Sequence, residues 1–243
     1  MTVAILIGCF FLVAALYSSV GHGGASGYLA VMAIIGLSPE IMRPTALVLN
    51  LLVSFIATGY FFRSGHFRSR LFLPLVLSSV PFAWLGANLP LPDYLYKIIL
   101  GICLLVAVLR LLLEKWISTD GEVQKISVFW LIIMGCGIGI ISGMIGIGGG
   151  ILLSPLLLLG RWATLRESAA LAAPFIFFNS ISAFSVLYQK QPQFPDELLY
   201  WMIATLAGGI VGSYAGSRRL PVAVLKYILA GVLLLAAGKL MFV

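Results

Sequence analysis

Residues 126–160 read ISVFWLIIMGCGIGIISGMIGIGGGILLSPLLLLG, thirty-five positions without Asp, Glu, Lys or Arg. As one helix this stretch would measure roughly 50 Å, against a hydrocarbon core of about 30 Å. It is too long for one crossing and too short for two crossings and a turn. Glycines at 143, 146, 148, 149 and 150 interrupt it. The economical reading is a helix, a glycine break and a short second helix over about 150–160. Residues 1–39 repeat the pattern: no charge, the break Gly21-His22-Gly23-Gly24-Ala25-Ser26-Gly27, and a short piece over about 25–37.

The rest of the chain agrees with a membrane setting. Of 243 residues, 61% are hydrophobic and 9% charged, with a mean hydropathy of +1.11. A soluble domain carries about 25% charged residues. Fifteen Lys and Arg against eight Asp and Glu give a net +7, but they fall in short clusters between apolar runs. Nucleic-acid binding needs a contiguous basic face, which is missing. Three cysteines are too few for a disulfide framework. The chain is expected to be an all-α polytopic membrane protein. Residues 1–20 lack a basic leader and a small-residue cleavage pattern, so a retained helix is expected there. Full spans are expected at about 45–62, 71–89, 94–113, 168–188, 198–217 and 221–242. Tyr94, Tyr96, Trp116, Trp130, Trp162, Tyr188, Tyr200 and Trp201 lie near the proposed ends, where interfacial aromatics collect.

Two halves emerge. Gly21-x-Gly23-Gly24 and Gly146-x-Gly148-Gly149 are 125 residues apart, and Gly36 and Gly160 are 124 apart. A helix with a polar amide follows each, Asn50 in one and Asn179 in the other, matching approximately with an offset of 129. Residues 1–113 and 127–243 therefore read as repeats joined by a cytoplasmic connecting loop at 114–126. Each repeat is a broken and short helix hairpin followed by three transmembrane helices. Three full crossings per half invert one repeat relative to the other. One set of loops then holds Arg63, Arg68, Arg70, Arg110, Lys115, Lys125, Arg161, Arg166, Arg218 and Arg219. The other set holds Arg43, Lys97, Lys190 and Lys239. Ten basic residues against four place the first set in the cytoplasm and both termini outside the inner or plasma membrane.

A helix break at membrane depth survives only in protein or beside a water-filled cavity. The short helix after it begins with unsatisfied N–H groups and the positive end of its dipole, which suit an anion. Two such starts near the midplane of inverted repeats form a transporter site. The alternative role of glycine-rich patches is close helix packing. The anion reading makes Gly23, Gly24, Ala25, Ser26, Gly148, Gly149 and Gly150 candidate binding positions, with Asn50, Asn179 and Ser180 completing the shell. Both asparagines could instead make interhelical hydrogen bonds. His22, the histidine at expected membrane depth, is the candidate for proton coupling. Arg43 and Arg166, just beyond the short helices, are vestibule candidates or ordinary interfacial anchors.

Gly146-Ile147-Gly148-Gly149-Gly150 followed by Ser154-Pro155, and the earlier Gly21-His22-Gly23-Gly24, resemble the duplicated glycine motifs of the sulfite exporter TauE/SafE family, also called toluene sulfonate uptake permeases. The resemblance extends over nearly the whole chain and includes Phe178-Asn179-Ser180. It implies a membrane transporter of small sulfur-containing or organic anions such as sulfite, sulfonates or sulfoacetate. Proton or sodium coupling, a lipid bilayer and a homo-oligomer are compatible partners, and no cofactor or metal is implied. In the first motif Ala25 replaces the third glycine and Ala30 stands where Pro155 would map. A different class, a membrane thiol-disulfide carrier, would use Cys9 and Cys136 on the first helix of each half. It lacks a C-x-x-C motif and a cation beside either thiol. An enzyme is not expected, since H-E-x-x-H, G-x-S-x-G and a membrane-depth carboxylate pair are all missing.

Overall fold

The computed structural model describes residues 3–63, 65–113, 123–217 and 223–242. Most of the expected connecting loop, with Lys115 and Trp116, and the pair Arg218 and Arg219 lie outside the described residues. Among the described residues ten helices follow one another: α1 Val3–Ser19, α2 Ala25–Ile35, α3 Pro39–Phe62, α4 Ser69–Asn88, α5 Asp93–Leu113, α6 Val128–Ile145, α7 Gly150–Leu159, α8 Leu165–Gln189, α9 Leu198–Ser217 and α10 Ala223–Phe242. No strand occurs among the described residues. Helices α3, α4, α6, α8 and α9 are long and apolar enough to cross a membrane. Large apolar side chains such as Phe55, Leu77, Phe129, Leu159 and Leu235 are two-thirds or more exposed on the outside of the bundle. In water such a surface would aggregate; in a bilayer it is the lipid-facing belt.

Both short helices form where the glycines break the chain. Gly21 and Gly146 turn the chain at φ 76° and 87°, and Gly24 and Gly149 start the short helices at φ 98° and 81°. A side chain rarely adopts these angles, which is why the breaks are glycine. The following full helices begin earlier than the hydropathy suggests. Ser38 precedes Pro39 at the start of α3, and Thr164 and Glu167 form a capping box at the start of α8. Proline suits a first helical turn, and the box satisfies two N–H groups there. Arg43 therefore lies inside α3 and Arg166 in the first turn of α8, rather than in the connections before them.

The helices pair in corresponding ways. α1 packs on α9 and α6 on α4; α3 packs on α8 and α5 on α10; α3 also meets α9, and α8 meets α4. Glycine makes the closest contacts. On α6, Gly135, Gly139 and Gly143 lie against the backbone of Leu75, Ser79 and Ala83 of α4. On α9, Gly208, Gly212 and Gly216 lie against the backbone of Phe11, Ala15 and Ser19 of α1. Each set recurs every four residues on one helix face, so two helices run parallel with backbones touching.

Polar contacts tie the ends of the bundle. Arg68 pairs with Glu167 at 3.5 Å, and Gln124 N–H donates to Arg161 O at 2.8 Å. At the other end Lys239 Nζ donates to Ile34 O at 2.9 Å, closing the tail of α2. Two expected interfacial aromatics are core residues instead. Trp201 is buried and stacks on Phe10 with ring centroids 4.5 Å apart. Tyr96 is buried and donates from its hydroxyl to Ile145 O at 3.3 Å. Tyr94, Trp130, Tyr188 and Tyr200 are exposed.

Candidate functional site

The two breaks meet at mid-depth. Asn50 is the twelfth of the 24 residues of α3, and Ile176 the twelfth of the 25 of α8. The glycines of both breaks lie against these two side chains. A Cβ on Gly23 would overlap Asn50 Oδ1, and one on Gly150 would overlap Ile176. A Cβ on Gly148 would come within 2.5 Å of Asn50 Nδ2 and 2.7 Å of Ser180 Oγ. The Asn50 carboxamide thus lies in a slot with one bare glycine from each half. Gly23, Gly24, Ala25, Ser26, Gly148, Gly149 and Gly150 are all buried.

Hydrogen bonds join the halves through the same residues. Ala25 N–H, the first of α2, donates to Asn50 Oδ1 at 3.3 Å, and Asn50 Nδ2 donates to Ser180 Oγ at 3.0 Å. The next N–H groups of that turn, on Ser26 and Gly27, have no acceptor within the helix. The Ser26 hydroxyl points away and donates to Tyr17 Oη at 2.7 Å. Tyr28 Oη donates to Gly23 O at 2.9 Å, holding the break against its own helix.

His22 reaches across from the first break to the second short helix. Its Nδ1 lies 2.8 Å from Val20 O; its Nε2 lies 3.0 Å from Ser154 Oγ and 3.1 Å from Gly150 O. A carbonyl can only accept, so the Val20 contact places a proton on Nδ1. With Nε2 bare, the ring accepts from Ser154. With Nε2 protonated, it donates to Gly150 O or Ser154 Oγ. Ser154 partners Nε2 in either protonation state, whereas the Gly150 carbonyl is met only when Nε2 carries a proton. The side chain is 2% exposed.

Asn179 is brought elsewhere. Its Nδ2 donates to Ser79 Oγ on α4 at 2.9 Å and to Phe175 O at 2.8 Å. Its Oδ1 is buried without a hydrogen-bond partner. It therefore fastens α8 to α4 and does not stand opposite Asn50. Arg43 lies with its backbone against Gly146, the start of the second break, where a Cβ would meet Arg43 O at 3.2 Å. Its Nη2 donates to Gly143 O at 3.3 Å in the last turn of α6, favourable for a cation at the negative end of that helix. The same side chain lines a cavity of about 390 Å³ with Glu40, Lys190, Gln191 and Gln193, at the end of the bundle where α3 begins. Arg166 is exposed on α8. The structure places Arg43, not Arg166, beside a break.

Cys9, Cys103 and Cys136 are free thiols. Cys9 belongs to α1, packed on α9, and Cys136 to α6, packed on α4. No group of three or more His, Cys, Asp or Glu positioned for a metal occurs among the described residues. Sequence reasoning missed Ser154 and Tyr28. Their signal was one helical turn of spacing after Gly150 and Gly24, on the face turned toward the break.

Residues 6–240 match the model of the family described as sulfite exporter TauE/SafE. The chain is 36% identical over 236 residues to the probable membrane transporter protein y4hK of Sinorhizobium fredii (strain NBRC 101917 / NGR234), covering 96% of each chain. No solved structure matches. A family model spanning nearly the whole chain, on an all-helical apolar bundle, leaves one assignment: the chain belongs to the TauE/SafE family of membrane transporters.

Proposed function

We propose that this transporter moves a small sulfur-containing or organic anion, of the sulfite, sulfonate or sulfoacetate type, by alternating access. The observation that carries the reading is the meeting of both breaks around Asn50 at mid-depth. The starts of α2 and α7 offer N–H groups and positive dipole ends to one anion, and the bare glycines let it touch the backbone. Gly23, Gly24, Ala25 and Ser26 form one wall, and Gly148, Gly149 and Gly150 the other. Ser180 and the amide of Asn50 lie between them. Asn179 supports α8 from outside this shell.

Residues 1–113 and 127–243 act as inverted repeats that rock about the site, a reading supported by the corresponding helix pairs. His22 couples the anion to a proton, because its ring has partners in either protonation state at the site itself. Arg43 and Lys190 attract the anion into the cavity above the second break. The ten-to-four basic bias sets the connecting loop in the cytoplasm and both termini outside the inner membrane.

Flux in proteoliposomes against a panel of sulfite, methanesulfonate, sulfoacetate, acetate and chloride, with and without a proton or sodium gradient, tests the reading. Saturable sulfite or sulfonate flux that a proton gradient accelerates is expected. Flux of none of these anions would sink it. A single cysteine at position 64, labelled in cells, should react from the cytoplasmic side; labelling from outside would reverse the orientation.

A further inference from the structure

We infer that the Asn50 carboxamide is the site's own occupant: it fills the slot that an oxyanion takes, and a substrate binds by displacing it. The inference rests on the reading of the breaks as the anion site and adds how that site is kept closed and what it selects.

Asn50 comes from α3, which belongs to neither break, yet its amide lies between Gly23 of one break and Gly148 of the other. The amide is fully buried. Its oxygen, the partly negative end, sits at the first N–H of α2, 3.3 Å from Ala25 N. That is where a helix start receives an anion oxygen. Its nitrogen is bound to Ser180 Oγ at 3.0 Å. The amide therefore ties the short helix of the first half to a long helix of the second.

Displacement releases a matched set of donors. Ala25 N–H loses its acceptor, the N–H groups of Ser26 and Gly27 lie beside it, and the Ser180 hydroxyl is free to turn and donate. The O and N of a carboxamide are spaced much like two oxygens of a carboxylate, sulfite or sulfonate. An anion with two such oxygens replaces both ends of the amide. A monatomic halide replaces one end and leaves the other donor unmet in a buried site, which is costly. The slot thus selects oxyanions over halides. A substrate that removes the Asn50 tie also frees the two halves to move past each other.

The test uses the full chain in proteoliposomes, with sulfite and chloride as probes, and compares wild type with Asn50→Ala and Asn50→Asp. Alanine empties the slot, so the sulfite KM should fall about 3- to 10-fold, the scale of two modest interhelical hydrogen bonds. Chloride competition should become stronger in the same variant. Aspartate places a tethered carboxylate at the helix start, so inserted, folded protein should bind no sulfite. If alanine lowers the yield of folded protein, Asn50→Ser empties the slot while keeping a hydroxyl in the helix, and the same fall in KM is expected. A sulfite KM that rises or stays unchanged in Asn50→Ala and Asn50→Ser would make the amide a direct ligand or a bystander and overturn the displacement alone. Absence of any sulfite binding by wild type and Asn50→Ala alike would overturn both this inference and the anion site beneath it.

Discussion

The two breaks share a glycine pattern and differ in chemistry. Gly21, Gly23 and Gly24 correspond to Gly146, Gly148 and Gly149 at a constant offset of 125, and both breaks turn through left-handed glycines at their outer and inner ends. Between them stands His22 in the first break and Ile147 in the second. Across from them, an offset of 126 sets Asn50 against Ile176 and Arg43 against Ala169. Those pairs face equivalent glycines: Gly23 meets Asn50, Gly148 meets Ile176, Gly146 meets Arg43 and Gly21 meets Ala169. The two breaks thus supply two helix starts, while the polar side chains that meet them are shared out unequally. The first half brings the imidazole and the amide; the second answers with Ser154 and Ser180. On the proposed reading, one ligand lies between two unlike walls, rather than two ligands in copied pockets.

That comparison can be broken most severely at the feature both breaks share. Gly149→Val forces a β-branched residue to φ 81° and drives its Cβ to within 2.8 Å of Ile138 and 2.9 Å of Phe175. Strain of about 1–3 kcal/mol from the backbone alone, with core overlap added, should reduce folded protein several-fold on size-exclusion chromatography. Gly24→Val, at φ 98°, should behave likewise, so neither variant probes the ligand cleanly. Gly23→Ala does, because Gly23 is not among the glycines at positive φ and its new Cβ would overlap only Asn50. Folded protein should persist while sulfite flux falls at least about tenfold, a loss above 1.4 kcal/mol. Wild-type flux in folded Gly23→Ala would remove the slot from the mechanism.

His22 sharpens the difference between the halves. Protonation of its ring adds a positive charge to the site, so anion affinity should strengthen as pH falls and weaken as it rises. His22→Gln keeps a hydrogen-bonding group and loses the charge, so flux should persist with a flattened profile between about pH 5 and 8. An unaltered profile would leave His22 as a structural brace to Ser154. The smallest effect is expected at the thiols. Cys9→Ala and Cys136→Ala should each leave flux within about twofold, because both sit on packed helices rather than at the breaks. Abolished flux, or a disulfide that cycles with turnover, would revive the redox carrier.

The breaks were legible because charge-free length and glycine spacing are one-dimensional signals. Residues 25–37 and 150–160, expected as short helices, correspond to α2 Ala25–Ile35 and α7 Gly150–Leu159. The direction a side chain faces was not legible. Pairing Asn50 with Asn179 used an offset of 129 where the glycine contacts require 126. Three residues turn a side chain about 300° around a helix and move it about 4.5 Å along, enough to send Asn179 to Ser79. Trp201 and Tyr96 were misplaced for a related reason: in a uniformly apolar helix, hydropathy does not separate the face toward protein from the face toward lipid. The glycine seams on α6 and α9 could have been read, since their fourfold spacing is plain in the sequence.

Those seams also fix an order of assembly. The carbonyl face of α1 at Phe11, Ala15 and Ser19 fits the glycines of α9, which are made almost two hundred residues later. The matching seam of α4 waits only for α6. α1 therefore lacks its glycine partner on that face until α9 is made, while the seam of α4 can close as soon as α6 follows. Contacts so distant along the chain form late and leave surface exposed in the meantime. A chain stopped before α9 is therefore expected to be degraded faster than the full-length protein, which a pulse-chase comparison of the two would test.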